Sequence, residues 1–212
     1  MESPSPTREL VFRLAKEAPI KKRHPFVVTC VVSGALLPVL AIAVLVVAGP
    51  RSDLGLAVTT GEFWLKIVAV LASLVAAGHC FASSLVPGSR CSSLRLLVGL
   101  PVLALGAAGE LARLSAGEWL SIFPSYWVTC VLVISSIGTV AALVFVPVIV
   151  HGAPVYPARA GLYGGIFAGM LAATTYLLAC PNDSALFVAA WYPLAIAMPA
   201  ATGLGLGALV RW

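Results

Sequence analysis

Six long apolar stretches, separated by short polar segments, dominate the pattern of hydrophobic and polar positions. A helix needs roughly 20 mostly apolar residues to cross the hydrocarbon core of a bilayer, and each stretch approaches or exceeds that length. They lie at about 26–48, 64–86, 92–112, 127–150, 160–180 and 185–209. The pattern predicts an all-α membrane protein built as a bundle of six transmembrane helices.

The third stretch is the shortest, because Arg95 and Glu110 limit its apolar length. Prolines interrupt several stretches, but packed membrane helices tolerate them. They stand at Pro38, Pro101, Pro147, Pro193 and Pro199. Neither feature argues against six helices.

The composition excludes a water-soluble class. Of the 212 residues, 60% are apolar and 10% are charged, whereas soluble domains average roughly 25% charged residues. Mean hydropathy is +1.03. The net charge of +5 does not indicate direct nucleic-acid binding, because basic residues concentrate in the first 23 positions, as they do beside an anionic lipid surface.

The distribution of basic residues predicts the orientation, because cytoplasmic segments of membrane proteins are enriched in Lys and Arg. With a cytoplasmic N-terminus, three basic residues fall outside, namely Arg51, Lys66 and Arg113, and the other ten fall inside. Both termini are therefore predicted to be cytoplasmic. The chain divides into a cytoplasmic N-terminal segment, 1–25, and a six-helix transmembrane domain, 26–212.

The N-terminal segment contains a candidate amphipathic helix between Thr7 and Pro19. Its apolar positions can dock in a groove of a partner protein or rest on the membrane surface. The candidate partner-binding residues are Leu10, Val11, Phe12 and Leu14.

The topology sorts the five cysteines. Cys130 opens the fourth predicted helix and Cys180 closes the fifth, so both are expected near the outer face. Such a pair can form a disulfide in an oxidising compartment, bind a soft metal through thiolates, or simply fill space as small apolar residues. On the predicted cytoplasmic side lie Cys30, Cys80, Cys91, His24 and His79, whose spacings match no known ligand pattern, so a packing role is favoured.

Three further patterns bear on function. Lys66 follows Glu62 by one helical turn, which reads as an ordinary helix-surface pair. Gly161, Gly165 and Gly169 form a small-residue stripe that favours close packing within the chain, although it would also suit a homo-oligomer. The chain has no HExxH, GxSxG or Walker motif, so it is not expected to be an enzyme.

The C-terminal third resembles the NrsF family of bacterial six-helix membrane anti-sigma factors. The resemblance rests on the stretch Cys180–Phe187, on Trp191-Tyr192-Pro193 and on the glycine-rich helix that ends at Arg211-Trp212. Ala18-Pro19, Val86-Pro87 and Trp127…Cys130 extend it along the chain. The sequence departs from the family at Asn182 and in its extra cysteines at Cys30, Cys80 and Cys91.

This resemblance implies a protein of the bacterial inner membrane that sequesters an extracytoplasmic-function sigma factor in the cytoplasm. In the family, metal or oxidative stress releases sigma, and the two cysteines tied to that response correspond to Cys130 and Cys180. No resident cofactor is implied beyond a transient heavy-metal ion at these thiols. The alternative is a small membrane transporter or channel, which would need polar groups along a path through the bilayer.

Overall fold

The computed structural model describes residues 25–86, 92–113 and 127–210, together with Thr7, Leu10 and Arg13. Within these residues the regular structure is helical and no strand occurs. The α-helices of the described ranges are α1 (Pro25–Ala48), α2 (Leu54–Ala57), α3 (Gly61–Ser84), α4 (Leu100–Arg113), α5 (Trp127–Gly152), α6 (Pro157–Tyr176) and α7 (Ala185–Leu209), and a 3-10 helix (Ser93–Gly99) precedes α4.

Five helical segments of the described residues are long and apolar enough to cross a membrane. They are α1, α3, α5, α7 and the segment Leu94–Ala112. The prediction of an all-helical protein with membrane-type helices is therefore confirmed. Helix α6 has 20 residues, about 30 Å at 1.5 Å per residue, but its glycines and alanines make it less hydrophobic than the others.

Helix α6 lies at the centre of the bundle, where it packs against α1, α3, α5 and α7. Its contact with α7 is backbone to backbone. A Cβ atom at Gly161 would overlap the carbonyl oxygen of Gly203, and one at Gly165 would overlap that of Pro199. The glycine stripe of α6 thus faces α7, which supplies Gly203 and Gly207 at the matching spacing of four residues.

The first helix ends where the sequence allows a sharp change of direction. Gly49 adopts a φ of +78°, which glycine reaches without steric penalty, and its N–H donates to the Leu45 carbonyl oxygen at 3.1 Å. Pro50 then prevents the helix from continuing. The chain enters a short loop that carries Arg51.

Two predicted helices differ from the structure in detail. The stretch predicted at 92–112 is a 3-10 helix that changes to an α-helix at Leu100, with Pro101 in the first α-helical turn, where its missing N–H is tolerated. The helix predicted at 160–180 ends at Tyr176 and continues as a turn. Cys180 therefore lies beyond the helix, in the loop that leads to α7.

Candidate functional site

The loop between α6 and α7, residues 177–184, holds one of the two predicted sensor cysteines. The Cys180 backbone N–H donates to the Tyr176 carbonyl oxygen at 2.9 Å, which is the helical spacing of four residues and continues the turn that follows α6. Cys180 is 2% exposed, and its thiol donates to the Asn182 carbonyl oxygen at 3.5 Å. We call residues 177–184 the Cys180 loop.

The fold brings the second predicted cysteine to the same place. Cys130 lies in the first turn of α5, is 1% exposed and belongs to the same buried cluster as Cys180. Both thiols are free. Residues separated by 50 positions in the sequence thus lie in one buried cluster, and we call these two cysteines the thiol pair.

Two tyrosines border the thiol pair. Tyr176 ends α6, and Tyr192 enters from the second turn of α7; both are buried. The Tyr192 hydroxyl is near enough to the Cys180 side chain to interact with it, yet it forms no hydrogen bond with any residue that the structure describes. It is a buried donor without a conventional partner, which is uncommon in folded proteins.

Arg51, in the loop that follows α1, forms hydrogen bonds and ion pairs with the Cys180 loop. Its guanidinium donates to Asp183 at 2.8 Å (Nη1–Oδ1) and 2.6 Å (Nη2–Oδ2), and to Asp53 at 2.6 Å (Nε–Oδ1) and 3.0 Å (Nη2–Oδ2). Nη1 also donates to the Cys180 carbonyl oxygen at 3.1 Å. Hydrogen bonding raises the pKa of Arg51 above its ordinary value, with the larger effect from Asp183 and the smaller from Asp53. The Arg51 guanidinium in turn lowers the pKa of Asp53.

Lys66 of α3 forms hydrogen bonds with the same loop from the interior of the bundle. Its ammonium donates to the Asn182 carbonyl oxygen at 2.8 Å and to Asp183 Oδ1 at 3.2 Å. The residue is completely buried. Its role differs from the helix-surface pair with Glu62 that the sequence suggested, because Lys66 points into the bundle towards the Cys180 loop.

Arg51, Asp53, Lys66 and Asp183 form what we call the ion-pair network. The Arg51 and Lys66 side chains are 3% and 1% exposed, that of Asp183 is 12% exposed, and that of Asp53 is 46% exposed. Burying charges is unfavourable unless they are paired and hydrogen-bonded, and Asp183 meets that requirement for both cations. These buried charges gather at one end of the bundle, so they do not support the alternative of a transport path.

Glu110 of α4 holds the other end of the Cys180 loop. Its carboxylate accepts hydrogen bonds from the backbone N–H groups of Ala185 at 2.6 Å and Leu186 at 3.3 Å, and from the Ser184 hydroxyl at 2.8 Å. A negative charge is favourable at a helix N-terminus, where backbone N–H groups lack partners. The loop is thus held by α3, by α4 and by the segment that follows α1.

The chemistry available at the thiol pair depends on how many metal-ligating side chains lie together. Among the described residues, no group of three or more His, Cys, Asp or Glu side chains is arranged to hold a metal ion. Zn²⁺ in structural sites usually takes four such ligands. Two thiols alone suit either a disulfide or a soft ion that accepts two sulfur ligands.

The cysteines predicted for the opposite end have other surroundings. Cys30 is free and exposed, and Cys80 is buried. His79 Nδ1 lies 3.2 Å from Arg95 Nη1, and its ring packs against that of Phe26 at 5.4 Å. His24 and Cys91 lie outside the described residues.

The predicted partner-binding segment is described only at single positions. Leu10 has helical backbone and is 57% exposed. Val11, Phe12 and Leu14 lie outside the described residues. Partner binding there stays a prediction.

Comparison with known proteins gives a consistent result. The family model described as NrsF, negative regulator of sigma F, matches residues 14–212. The chain is 32% identical over 218 residues to a probable anti-sigma-F factor NrsF of Azospira oryzae (strain ATCC BAA-33 / DSM 13638 / PS), and the match covers 97% of this chain and 99% of that protein. No solved structure matches the chain.

Proposed function

The chain belongs to the NrsF family of negative regulators of sigma F, and from this premise we propose that it is a stress-responsive anti-sigma factor. It would hold an extracytoplasmic-function sigma factor at the bacterial inner membrane and release it when thiol chemistry occurs at Cys130 and Cys180. The observation that carries the proposal is the burial of these two free thiols at one place in the bundle.

The proposed topology has six spans, with both termini in the cytoplasm and α6 as the central span. Arg51, Lys66, Cys130 and Cys180 then share the periplasmic end, which is the oxidising side. Two of the three basic residues expected outside, Arg51 and Lys66, are neutralised by ion pairs. The count of Lys and Arg, ten inside against three outside, supports this orientation.

Two signals fit the thiol pair chemically. A peroxide can oxidise the two thiols to a disulfide, taking up two electrons and two protons. A soft metal ion can instead displace both thiol protons and bind the two sulfurs. Either event joins α5 to the Cys180 loop. It can shift the equilibrium between a sigma-binding and a sigma-releasing conformation only if the thiol pair reacts or binds more favourably in one of them.

Helix α1 is the most direct route from this end of the bundle to the proposed sigma-binding segment. Its C-terminal end leads into Arg51, which contacts the Cys180 loop, and its N-terminal end at Pro25 follows the segment that carries Leu10. A displacement of the Cys180 loop would therefore act on α1 through Arg51. Exposed Leu10 would belong to the surface that contacts sigma.

The test compares wild type with the double variant Cys130→Ser/Cys180→Ser. Membranes that contain the full-length protein with its co-expressed sigma factor are treated with hydrogen peroxide, and the sigma retained on the purified protein is measured. We expect the variant to retain sigma before and after treatment, whereas wild type releases it. Cys30→Ser, at a free and exposed cysteine away from the pair, is the matched control and should behave as wild type. Release from the double variant equal to that from wild type would contradict the proposal.

A further inference from the structure

We propose that Cys180 is the first of the two thiols to react with an oxidant, and that the Lys66 ammonium and the Tyr192 hydroxyl stabilise its anionic sulfur. The inference rests on the proposed function, which treats the two cysteines as equivalent. It adds an order of reaction and two residues that position and activate the first sulfur. Cys130 then acts as the resolving thiol.

Lys66 and Cys180 share one acceptor. The Asn182 carbonyl oxygen accepts a hydrogen bond from the Lys66 ammonium at 2.8 Å and another from the Cys180 thiol at 3.5 Å. A lysine ammonium has three N–H donors, and Lys66 uses two of them, on Asn182 and Asp183. If the thiol loses its proton, the anionic sulfur lies near the Lys66 ammonium, which has a third N–H available to donate to it.

The buried charges favour a new anion at this position. The four members of the ion-pair network balance formally, but the Asp53 carboxylate is 46% exposed and is therefore screened by solvent. In the buried part, Asp183 pairs with both Arg51 and Lys66, while the Glu110 carboxylate accepts from Ser184 and from the backbone N–H groups of Ala185 and Leu186. An anionic sulfur at Cys180 would lie on the same loop as two buried cations that share one carboxylate.

Tyr192 supplies a second donor. The residue is 3% exposed, and its hydroxyl interacts with the Cys180 side chain but forms no hydrogen bond with any described residue. A neutral thiol is a weak acceptor, whereas hydrogen bonds to an ionised acceptor are stronger. The hydroxyl is therefore placed to bond the anionic sulfur more strongly than the thiol.

Cys130 differs from Cys180 in its hydrogen bonds. The Lys66 charge acts on it as well, but no described residue forms a hydrogen bond with its thiol. It lies within α5, where the backbone carbonyl groups are engaged in the helix. Its surroundings are consistent with a thiol that reacts second.

The reaction balances with a peroxide as the oxidant. The Cys180 thiolate attacks one peroxide oxygen, the O–O bond breaks and an S–O bond forms; with one added proton the products are a sulfenic acid and water. The Cys130 thiol then attacks the Cys180 sulfur, the S–S bond forms and a second water leaves. Overall, two thiols give two electrons and two protons to the peroxide.

The experiment traps the sulfenic acid. Full-length Cys130→Ser and Cys180→Ser variants are purified, reconstituted in lipid vesicles and exposed to hydrogen peroxide with dimedone, and mass spectrometry quantifies the adduct at each cysteine. We expect the adduct at Cys180 of Cys130→Ser, and about tenfold less at Cys130 of Cys180→Ser, the ratio expected for one hydrogen bond to a charged group. Equal adduct at the two positions, more adduct at Cys130, or no adduct at either would overturn the proposal.

The stabilising residues are tested in the Cys130→Ser background. Tyr192→Phe removes only the hydroxyl and should slow adduct formation at Cys180 by about tenfold, while the thermal midpoint stays unchanged or rises, because the lost hydroxyl had no conventional partner. Lys66→Met should slow it as well, and Lys66→Arg should restore the rate because it keeps the cation. A Tyr192→Phe rate equal to that of the parent would contradict the role of the hydroxyl, even if Lys66→Met fails to fold.

These outcomes are separate from those of the proposed function. Sigma release from the Cys130→Ser/Cys180→Ser variant tests whether the pair senses at all. Dimedone trapping tests which sulfur reacts first, without any sigma factor present.

Discussion

Arg51 and Asp183 form a two-point ion pair, with distances of 2.8 Å and 2.6 Å, between segments 132 residues apart in the sequence. The pair joins the loop that follows α1 to the loop that carries Cys180. Asp183 also accepts from Lys66, so a single carboxylate serves two buried cations. The network fixes the Cys180 loop to α3 and to the loop that follows the first helix.

Asp183→Asn is expected to destabilise the protein more than any other neutralisation in the ion-pair network. It leaves Arg51 and Lys66 facing one another without their shared carboxylate, and breaking a buried pair in this way costs about 3–5 kcal/mol. The measurement is the thermal midpoint of the purified protein in detergent. Asp53→Asn is the matched control, because that carboxylate is 46% exposed, and it should lower the midpoint far less. Equal shifts for the two variants would contradict the dominance of Asp183.

The contribution of Asp53 should depend on pH in a defined direction. Hydrogen bonding to Arg51 lowers the pKa of Asp53 below its ordinary value of 3.8. Its stabilising effect is therefore fully present above 3.8, and it is lost as the pH falls from there through the lowered folded-state pKa. The difference in thermal midpoint between wild type and Asp53→Asn should stay constant from neutral pH to about pH 5, and should vanish at lower pH. A difference that changed between pH 7 and pH 5 would show that another group governs it.

The sequence predicts the helices well because the length of an apolar stretch is a local property. The observed α1 and α7 begin or end within a residue of their predicted bounds. The meeting of Cys130 and Cys180 also follows from alternating helix direction, which places both at one end. The partners of Lys66 could not be predicted, because they depend on how α3 is rotated against the Cys180 loop. The hydrophobic pattern likewise does not reveal the change from 3-10 to α-helix before Pro101.

The glycine contact between α6 and α7 should be intolerant of a methyl group. A Cβ atom at Gly165 would overlap the carbonyl oxygen of Pro199, and backbone atoms cannot move aside as a flexible side chain can. Overpacking of this kind costs about 1–3 kcal/mol, so Gly165→Ala should lower the thermal midpoint clearly.

Gly205 provides the control for this variant on α7. A Cβ atom there has no neighbour within 4 Å, and alanine has a higher helix propensity than glycine by about 1 kcal/mol. Gly205→Ala should therefore leave the midpoint unchanged or raise it. A loss of stability at Gly205 equal to that at Gly165 would mean that helix flexibility, rather than close packing, determines the effect.

The proposed orientation can be tested with single added cysteines at exposed loop positions. Ser52 lies between α1 and α2, at the end of the bundle that holds the Cys180 loop, and Val155 lies between α5 and α6 at the opposite end; both are exposed. With both termini in the cytoplasm, Ser52→Cys should react in intact cells with a maleimide that cannot cross the inner membrane. Val155→Cys should react only after the cells are lysed. The native cysteines are separated from the added ones by peptide mapping. Labelling of Val155→Cys but not Ser52→Cys in intact cells would place the thiol pair on the cytoplasmic side, where the reducing environment opposes disulfide formation, and the oxidative form of the sensing model would then be wrong.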